Sequence, residues 1–126
     1  MLPQASPFGF TPYCPGHGLS GYCIPTDPCY LTWNAREYGV HTSFIELAGE
    51  VNTVMPNWVI SKVEQALNYR CKAVNGSRIL IISVAYKKDT KDTRESPGLE
   101  IYASLDKRGA IVSYHDLFLS VLRETR

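Results

Sequence analysis

Ile79-Leu80-Ile81-Ile82-Ser83-Val84-Ala85 is a short, nearly continuous aliphatic run without polar alternation, the pattern of a strand buried on both faces. A charged loop follows. Ser96-Pro97 then starts a helix through Leu99, Ile101, Tyr102 and Leu105 to Gly109, and Ala110-Ile111-Val112-Ser113-Tyr114 makes a second strand ending at His115-Asp116. Strand, helix and strand in that order predict a β-α-β unit with parallel strands. Two parallel strands alone do not bury enough surface, so the unit is expected to be an incomplete piece of a larger Rossmann-like sheet. Leu117 to Arg126 offers at most a weak amphipathic turn or two.

Upstream, residues 1–28 hold six of the eight prolines together with Gly16, Gly18 and Gly21, which predicts a loop. Asp27-Pro28 reads as a helix start, with Asp27 as cap and Pro28 at the first helical position, and Gly39 as the stop after Tyr38. Ser43 with Glu46 has the capping-box spacing, and Phe44, Ile45, Leu47, Ala48 and Val51 follow with helical periodicity. Pro56 should interrupt that helix and begin a third, carrying Trp58, Val59, Ile60, Val63, Ala66 and Leu67 to a stop at Asn75-Gly76. The predicted fold class is therefore α/β: a loop over 1–26, a helical central region over 27–75, and an incomplete Rossmann-like β-α-β unit over 76–126.

With 126 residues there is room for one domain or two half-domains. Hydrophobic residues make up 44% and charged ones 20%, and no apolar stretch nears the ~20 residues that span a bilayer, which points away from membrane and disordered classes. A net charge of +1 supplies no field for nucleic acid or anionic lipid as a main partner. Met1-Leu-Pro-Gln-Ala-Ser-Pro7 has neither a basic start nor an apolar core, so a cytoplasmic chain with reduced Cys14, Cys23, Cys29 and Cys71 is expected.

Gly16-His-Gly-Leu-Ser-Gly21 matches the Gly-x-Gly-x-x-Gly dinucleotide pattern, but Phe10-Thr-Pro-Tyr-Cys-Pro15 before it and Tyr22-Cys-Ile-Pro-Thr-Asp-Pro28 after it are hostile to the strand and helix that pattern requires. The glycines suit either a loop that brings backbone donors close to a ligand or a plain tight turn. Cys14, His17, Cys23 and Cys29 could form a Cys3His zinc set, although only Cys14 and His17 have knuckle spacing. The broad apolar faces of the helices could instead serve a non-enzymatic interaction piece.

Pro15-Gly-His-Gly-Leu-Ser-Gly-Tyr-Cys-Ile-Pro-Thr-Asp-Pro28, Tyr30-Leu-Thr-Trp-Asn-Ala-Arg-Glu-Tyr-Gly39, Phe44-Ile-Glu-Leu-Ala-Gly-Glu-Val-Asn52 and Val84-Ala-Tyr-Lys-Lys-Asp-Thr-Lys-Asp-Thr-Arg-Glu-Ser-Pro97 together resemble the UDP-glucose/GDP-mannose dehydrogenase family. Within it the wording is nearest to members acting on UDP-N-acetylhexosamines, UDP-N-acetylglucosamine in particular, for surface polysaccharide precursors. The resemblance implies an NAD-dependent oxidation of a UDP-sugar's primary alcohol to the carboxylate through a cysteine thioester. It places Cys23 as nucleophile and Asp27 as the residue that positions water for thioester hydrolysis, two roles suited to a thiolate and a carboxylate. It implies substrate contacts at Leu19, Ser20, Gly21, Tyr86 and Lys87, an approach of Arg94 to NAD, and a homodimer formed through the helical region.

The family pattern is Pro-Gly-Pro-Gly-Leu-Gly-Gly-His-Cys, so His17, Ser20 and Tyr22 are departures, and a side chain at Ser20 narrows the close backbone approach. No strand-glycine-helix unit precedes residue 16, and the helix bearing the family's catalytic lysine and asparagine has no counterpart. The chain alone is therefore expected to be a truncated piece without dehydrogenase turnover.

Overall fold

The computed structural model describes residues 16–122. Cys14 and the expectations attached to it lie outside the described residues. Five elements follow one another: α1 (Cys23–Glu37), α2 (Ser43–Tyr69), β1 (Arg78–Ile82), α3 (Pro97–Lys107) and β2 (Ile111–His115). The strands pair in parallel, Arg78 opposite Ile111 through Ile82 opposite His115, with α3 as the crossover. The β-α-β expectation holds, and the fold is α/β with a helical part ahead of a two-stranded parallel sheet.

The core lies where α2 and α3 meet the sheet. Ile60, Ile101, Leu105 and Ala110 are buried, and Val59, Val63, Val74, Ile79, Ile81 and Val112 pack around them. Full burial of a side chain such as Leu105 contributes roughly 1.5–3 kcal/mol. Only one sheet face is used, however. Leu80, Ile82 and Ile111 stay exposed, so β1 is not covered on both faces, because no helix among the described residues packs on that side. β1 also stops at Ile82, since Ser83 turns into left-handed backbone (φ 67) and sends its N–H to the His115 carbonyl.

Three predicted boundaries differ. First, α1 begins at Cys23, not Asp27, with Tyr22 at the cap and no side-chain cap bond, so Asp27 is an interior residue and not a cap. Pro25 is tolerated because the first four helical N–H groups have no intrahelical partner, and only Pro28 removes a bond. The loop predicted through residue 28 thus turns helical at Cys23.

Second, α2 runs unbroken through Pro56 for 27 residues. An internal proline costs about 3 kcal/mol. Here Pro56 is buried, and its helix packs along both α1 and α3, so tertiary contact holds the segment straight through the missing bond. The helix cap is Thr42 instead of Ser43, so the capping-box reading fails by one residue, although Glu46 still places a negative charge in the first turn. Third, α2 ends before Asn75-Gly76. The Cys71 N–H donates to the Asn68 carbonyl and the Lys72 N–H to the Leu67 carbonyl, which is a Schellman closure with Cys71 at φ 53. Leu117 to Leu122 contains no helical turn.

Candidate functional site

The glycine loop is packed against the segment that links β1 to α3. Gly18 (φ +137) and Gly21 (φ +89) adopt backbone that side chains rarely take, and both glycines touch that segment. A Cβ at Gly21 would sit 3.2 Å from the Tyr86 ring, and one at Gly18 would sit 3.1 Å from the Pro97 ring. Between them the Ser20 hydroxyl donates to the Tyr86 carbonyl at 3.1 Å. Residues 66 positions apart in sequence are thereby joined.

From this junction the loop enters α1. Cys23 is the helix's first residue and is exposed; Asp27 follows one turn later on the same face and is exposed too. Unpaired N–H groups at a helix start favour negative charge. Asp27 also lines an open apolar groove between α1 and α2, with Leu19, Ile24, Trp33 and Phe44. The two helices are tied there by Arg36 to Glu46 at 3.0 Å.

On the other side of the junction, the Tyr86 N–H donates to the Asp92 carbonyl at 3.0 Å, closing the loop on itself. Arg94 is clamped by Asp92: Nε lies 3.0 Å from Oδ1 and Nη2 lies 2.6 Å from Oδ2. The Arg94 side-chain bonds, then the Arg94 backbone N–H, hold the Asp92 carboxyl down to about 2, and the same contact raises Arg94. The Arg94 guanidinium also lies 5.3 Å from the centre of the Tyr22 ring, within cation–π range.

Lys87 is exposed and lines a different hollow, at the C-terminal ends of β1 and β2, with Ser83, Lys88, His115, Asp116 and Phe118. Asp116 organises this end of the sheet. One carboxylate oxygen accepts from Ser83 Oγ, the Val84 N–H and the Ala85 N–H; the other accepts from the N–H groups of Phe118 and Leu119. The Phe118 bond first, with the other backbone donors, lowers its carboxyl to about 2.

Of the residues singled out from sequence, Ser20, Gly21, Tyr86 and Arg94 therefore come together, and Cys23 adjoins them along the chain. Leu19 and Asp27 face the α1/α2 groove, and Lys87 the sheet end. Three contributors were missed: Tyr22 as an aromatic seat, Asp92 as the arginine clamp, and Asp116 as the strand-end acceptor. Asp92 was detectable as a carboxylate two residues before an arginine. Asp116 was detectable as an acid closing a predicted strand.

Against expectation the glycine loop does open a helix, as a dinucleotide-binding fold requires, with Pro97 beside Gly18 and Tyr86 beside Gly21. Asp116, the acid at the strand end where such folds recognise a ribose, is engaged by backbone donors. No group of three metal-ligating side chains occurs among the described residues, which leaves His17, Cys23 and Cys29 without a zinc arrangement.

Both sides of this junction match one family of known proteins. Residues 2–54 match the central domain of the UDP-glucose/GDP-mannose dehydrogenase family, and residues 80–126 match that family's UDP binding domain. A UDP-N-acetyl-D-mannosamine dehydrogenase of Campylobacter jejuni is 35% identical over 97 residues, covering 76% of this chain and 22% of its own. A UDP-N-acetyl-D-glucosamine 6-dehydrogenase of Pseudomonas aeruginosa is 30% identical over 113 residues, covering 90% of this chain and 26% of its own. Among solved structures, an NDP-N-acetyl-D-galactosaminuronic acid dehydrogenase of Methanosarcina mazei Go1 superposes with a TM-score of 0.80 at 26% identity, over 90% of this chain and 26% of that one. The UDP-D-ManNAc dehydrogenase of Pyrococcus horikoshii gives 0.77 at 29% identity, over 85% and 25%. The chain thus spans about a quarter of the length of the relatives it matches.

Proposed function

The chain belongs to the UDP-glucose/GDP-mannose dehydrogenase family, and we propose that it carries the sugar-nucleotide and thiol side of a UDP-sugar 6-dehydrogenase site, with a UDP-N-acetylhexosamine as substrate. One observation carries this reading: the Ser20–Tyr86 contact joins the segment matching the family's central domain to the segment matching its UDP binding domain. The two matched segments meet at that contact.

In this reading the backbone of Leu19 to Gly21 and the side chains of Tyr86 and Lys87 hold the nucleotide sugar. The Cys23 thiolate adds to the aldehyde carbon formed from the sugar's primary alcohol. After oxidation to the thioester, a water positioned by Asp27 attacks that carbon, the C–S bond breaks, and the carboxylate leaves with Cys23 regenerated. NAD is the proposed hydride acceptor of the full-length family enzymes. Arg94 is the one residue here assigned toward it, and the isolated chain is proposed to be inactive. A cytoplasmic setting accompanies this reading. No helix among the described residues is long and apolar enough to cross a membrane.

Calorimetric titration of the chain with UDP-N-acetylglucosamine tests the site. Saturable binding that Tyr86→Ala and Gly21→Val remove is expected, and absence of binding overturns the reading. NADH formation by the chain alone, abolished by Cys23→Ser, would overturn the proposed inactivity.

A further inference from the structure

The side chains of Ser20 and Tyr22 both reach the same partner segment. The Ser20 hydroxyl bonds to the Tyr86 carbonyl at 3.1 Å, and the Tyr22 ring seats the Arg94 guanidinium at 5.3 Å. Glycine at 20 would have no side-chain donor for that carbonyl. Histidine at 22 would offer a smaller, titratable ring to the cation. Tyr86 and Arg94 are themselves joined through Asp92, whose backbone carbonyl accepts from the Tyr86 N–H and whose carboxylate clamps Arg94. The two contacts therefore close a loop of interactions running Ser20, Tyr86, Asp92, Arg94, Tyr22.

We propose that Ser20 and Tyr22 form a latch that fixes the glycine loop on the Tyr86–Arg94 segment and so presets the distance between the Cys23 helix and the nucleotide-sugar-binding residues. The latch deepens the functional reading above and rests on it only for its effect on ligand affinity. Both are positioning residues. Their side chains act through the Tyr86–Arg94 segment, whereas the Ser20 backbone belongs to the proposed ligand loop itself. Their use answers the narrowing expected at Ser20: its side chain points to the Tyr86 carbonyl, and close approach to the loop is set by Gly18 and Gly21, whose Cβ positions are filled by Pro97 and Tyr86.

The test uses the full 126-residue chain as wild type, Ser20→Gly, Ser20→Thr, Tyr22→Leu and Tyr22→Phe. Amide hydrogen exchange without ligand reads the latch directly at the Tyr86 and Arg94 N–H groups, both hydrogen-bonded within the segment. Ser20→Gly and Tyr22→Leu are expected to speed exchange there about tenfold, the worth of one hydrogen bond or cation–π contact, with β1 and α3 unchanged. UDP-N-acetylglucosamine affinity should fall about tenfold in the same two variants. Ser20→Thr keeps the hydroxyl and Tyr22→Phe keeps the ring, so both should match wild type in amide exchange, and Tyr22→Phe should match it in affinity as well.

Unchanged exchange at Tyr86 and Arg94 in both disruptive variants overturns the latch, as does a rise spread evenly over the chain. Failure of the conservative pair to rescue overturns it as well. If exchange responds as expected while wild type binds no nucleotide sugar, the latch stands and the substrate reading falls.

Discussion

Asp116 accepts five hydrogen bonds, from Ser83 Oγ and from the backbone of Val84, Ala85, Phe118 and Leu119, so one carboxylate closes the ends of both strands. Asp116→Ala leaves four backbone donors to solvent or unpaired; at this half-buried site a loss of about 1–2 kcal/mol is expected, read as a lower urea midpoint at pH 7. The pH dependence has a definite sign. Its folded-state value of about 2 lies below the ordinary 3.8, so the folded chain binds fewer protons and stability rises with pH across that window. The Asp116 contribution is complete above about pH 4 and fades as pH falls towards 2. The gap between wild type and Asp116→Ala should therefore narrow between pH 4 and pH 2; a gap independent of pH there would remove the carboxylate as its source. Asp92 is depressed to about 2 by Arg94 in the same sense, so the Asp92–Arg94 clamp should weaken over the same range.

At the scale of elements, the three helices end alike. The Gly39 N–H donates to Arg36 and the Val40 N–H to Ala35; the Gly109 N–H donates to Asp106 and the Ala110 N–H to Leu105; Cys71 and Lys72 repeat the pattern at α2. Gly39 (φ +70) and Gly109 (φ +81) fill the left-handed position at no steric cost, whereas Cys71 fills it at φ 53 with a side chain. Cys71→Gly is expected to raise stability by about 0.5–1 kcal/mol, part of the strain relief being offset by the freer unfolded chain. A thermal melt checks it, and a lower melting temperature would show that the exposed cysteine is not strained. This comparison also shows why some boundaries were legible in sequence and others not. Gly39 and Gly109 announce their stops because local sterics decide them, and Ser96-Pro97 announces its start for the same reason. The end at Cys71, the passage of α2 through Pro56 and the early start of α1 depend on packing among α1, α2 and α3, which no local pattern encodes. The site divides in the same way. The family resemblance pointed to Cys23, Ser20, Gly21 and Tyr86, but the Asp92–Arg94–Tyr22 arrangement exists only once two distant segments meet.

Across the whole molecule, the apolar surface exceeds what one chain buries. Phe44, Leu47, Val51, Val54 and Trp58 are all at least half exposed, Phe44 at 88%, and they recur along α2 at alternating steps of three and four residues. That is the spacing of a seam that packs on another helix at a shallow angle. The opposite side of α2 carries Val59, Ile60 and Val63 into the core, so the seam is a second apolar face, not a displaced first one. The helix is thus apolar on two sides, and α1 adds Tyr30 and Trp33 in mutual contact beside the groove. A second copy of the chain, aligned across a two-fold axis, would offer the same seam to itself. This supports the proposed homodimer through the helical region. Sedimentation equilibrium should return a mass twice the 14.1 kDa of one chain. Val51→Asp combined with Val54→Asp should convert it to a monomer, since two carboxylates per copy would otherwise be buried unpaired in the seam. Because both side chains are exposed within one chain, the helical circular dichroism of the variant should stay close to wild type. A monomeric wild type, or a variant that remains dimeric, would place the contact elsewhere. A variant that dissociates only by losing its helix would mark the seam as part of the chain's own core.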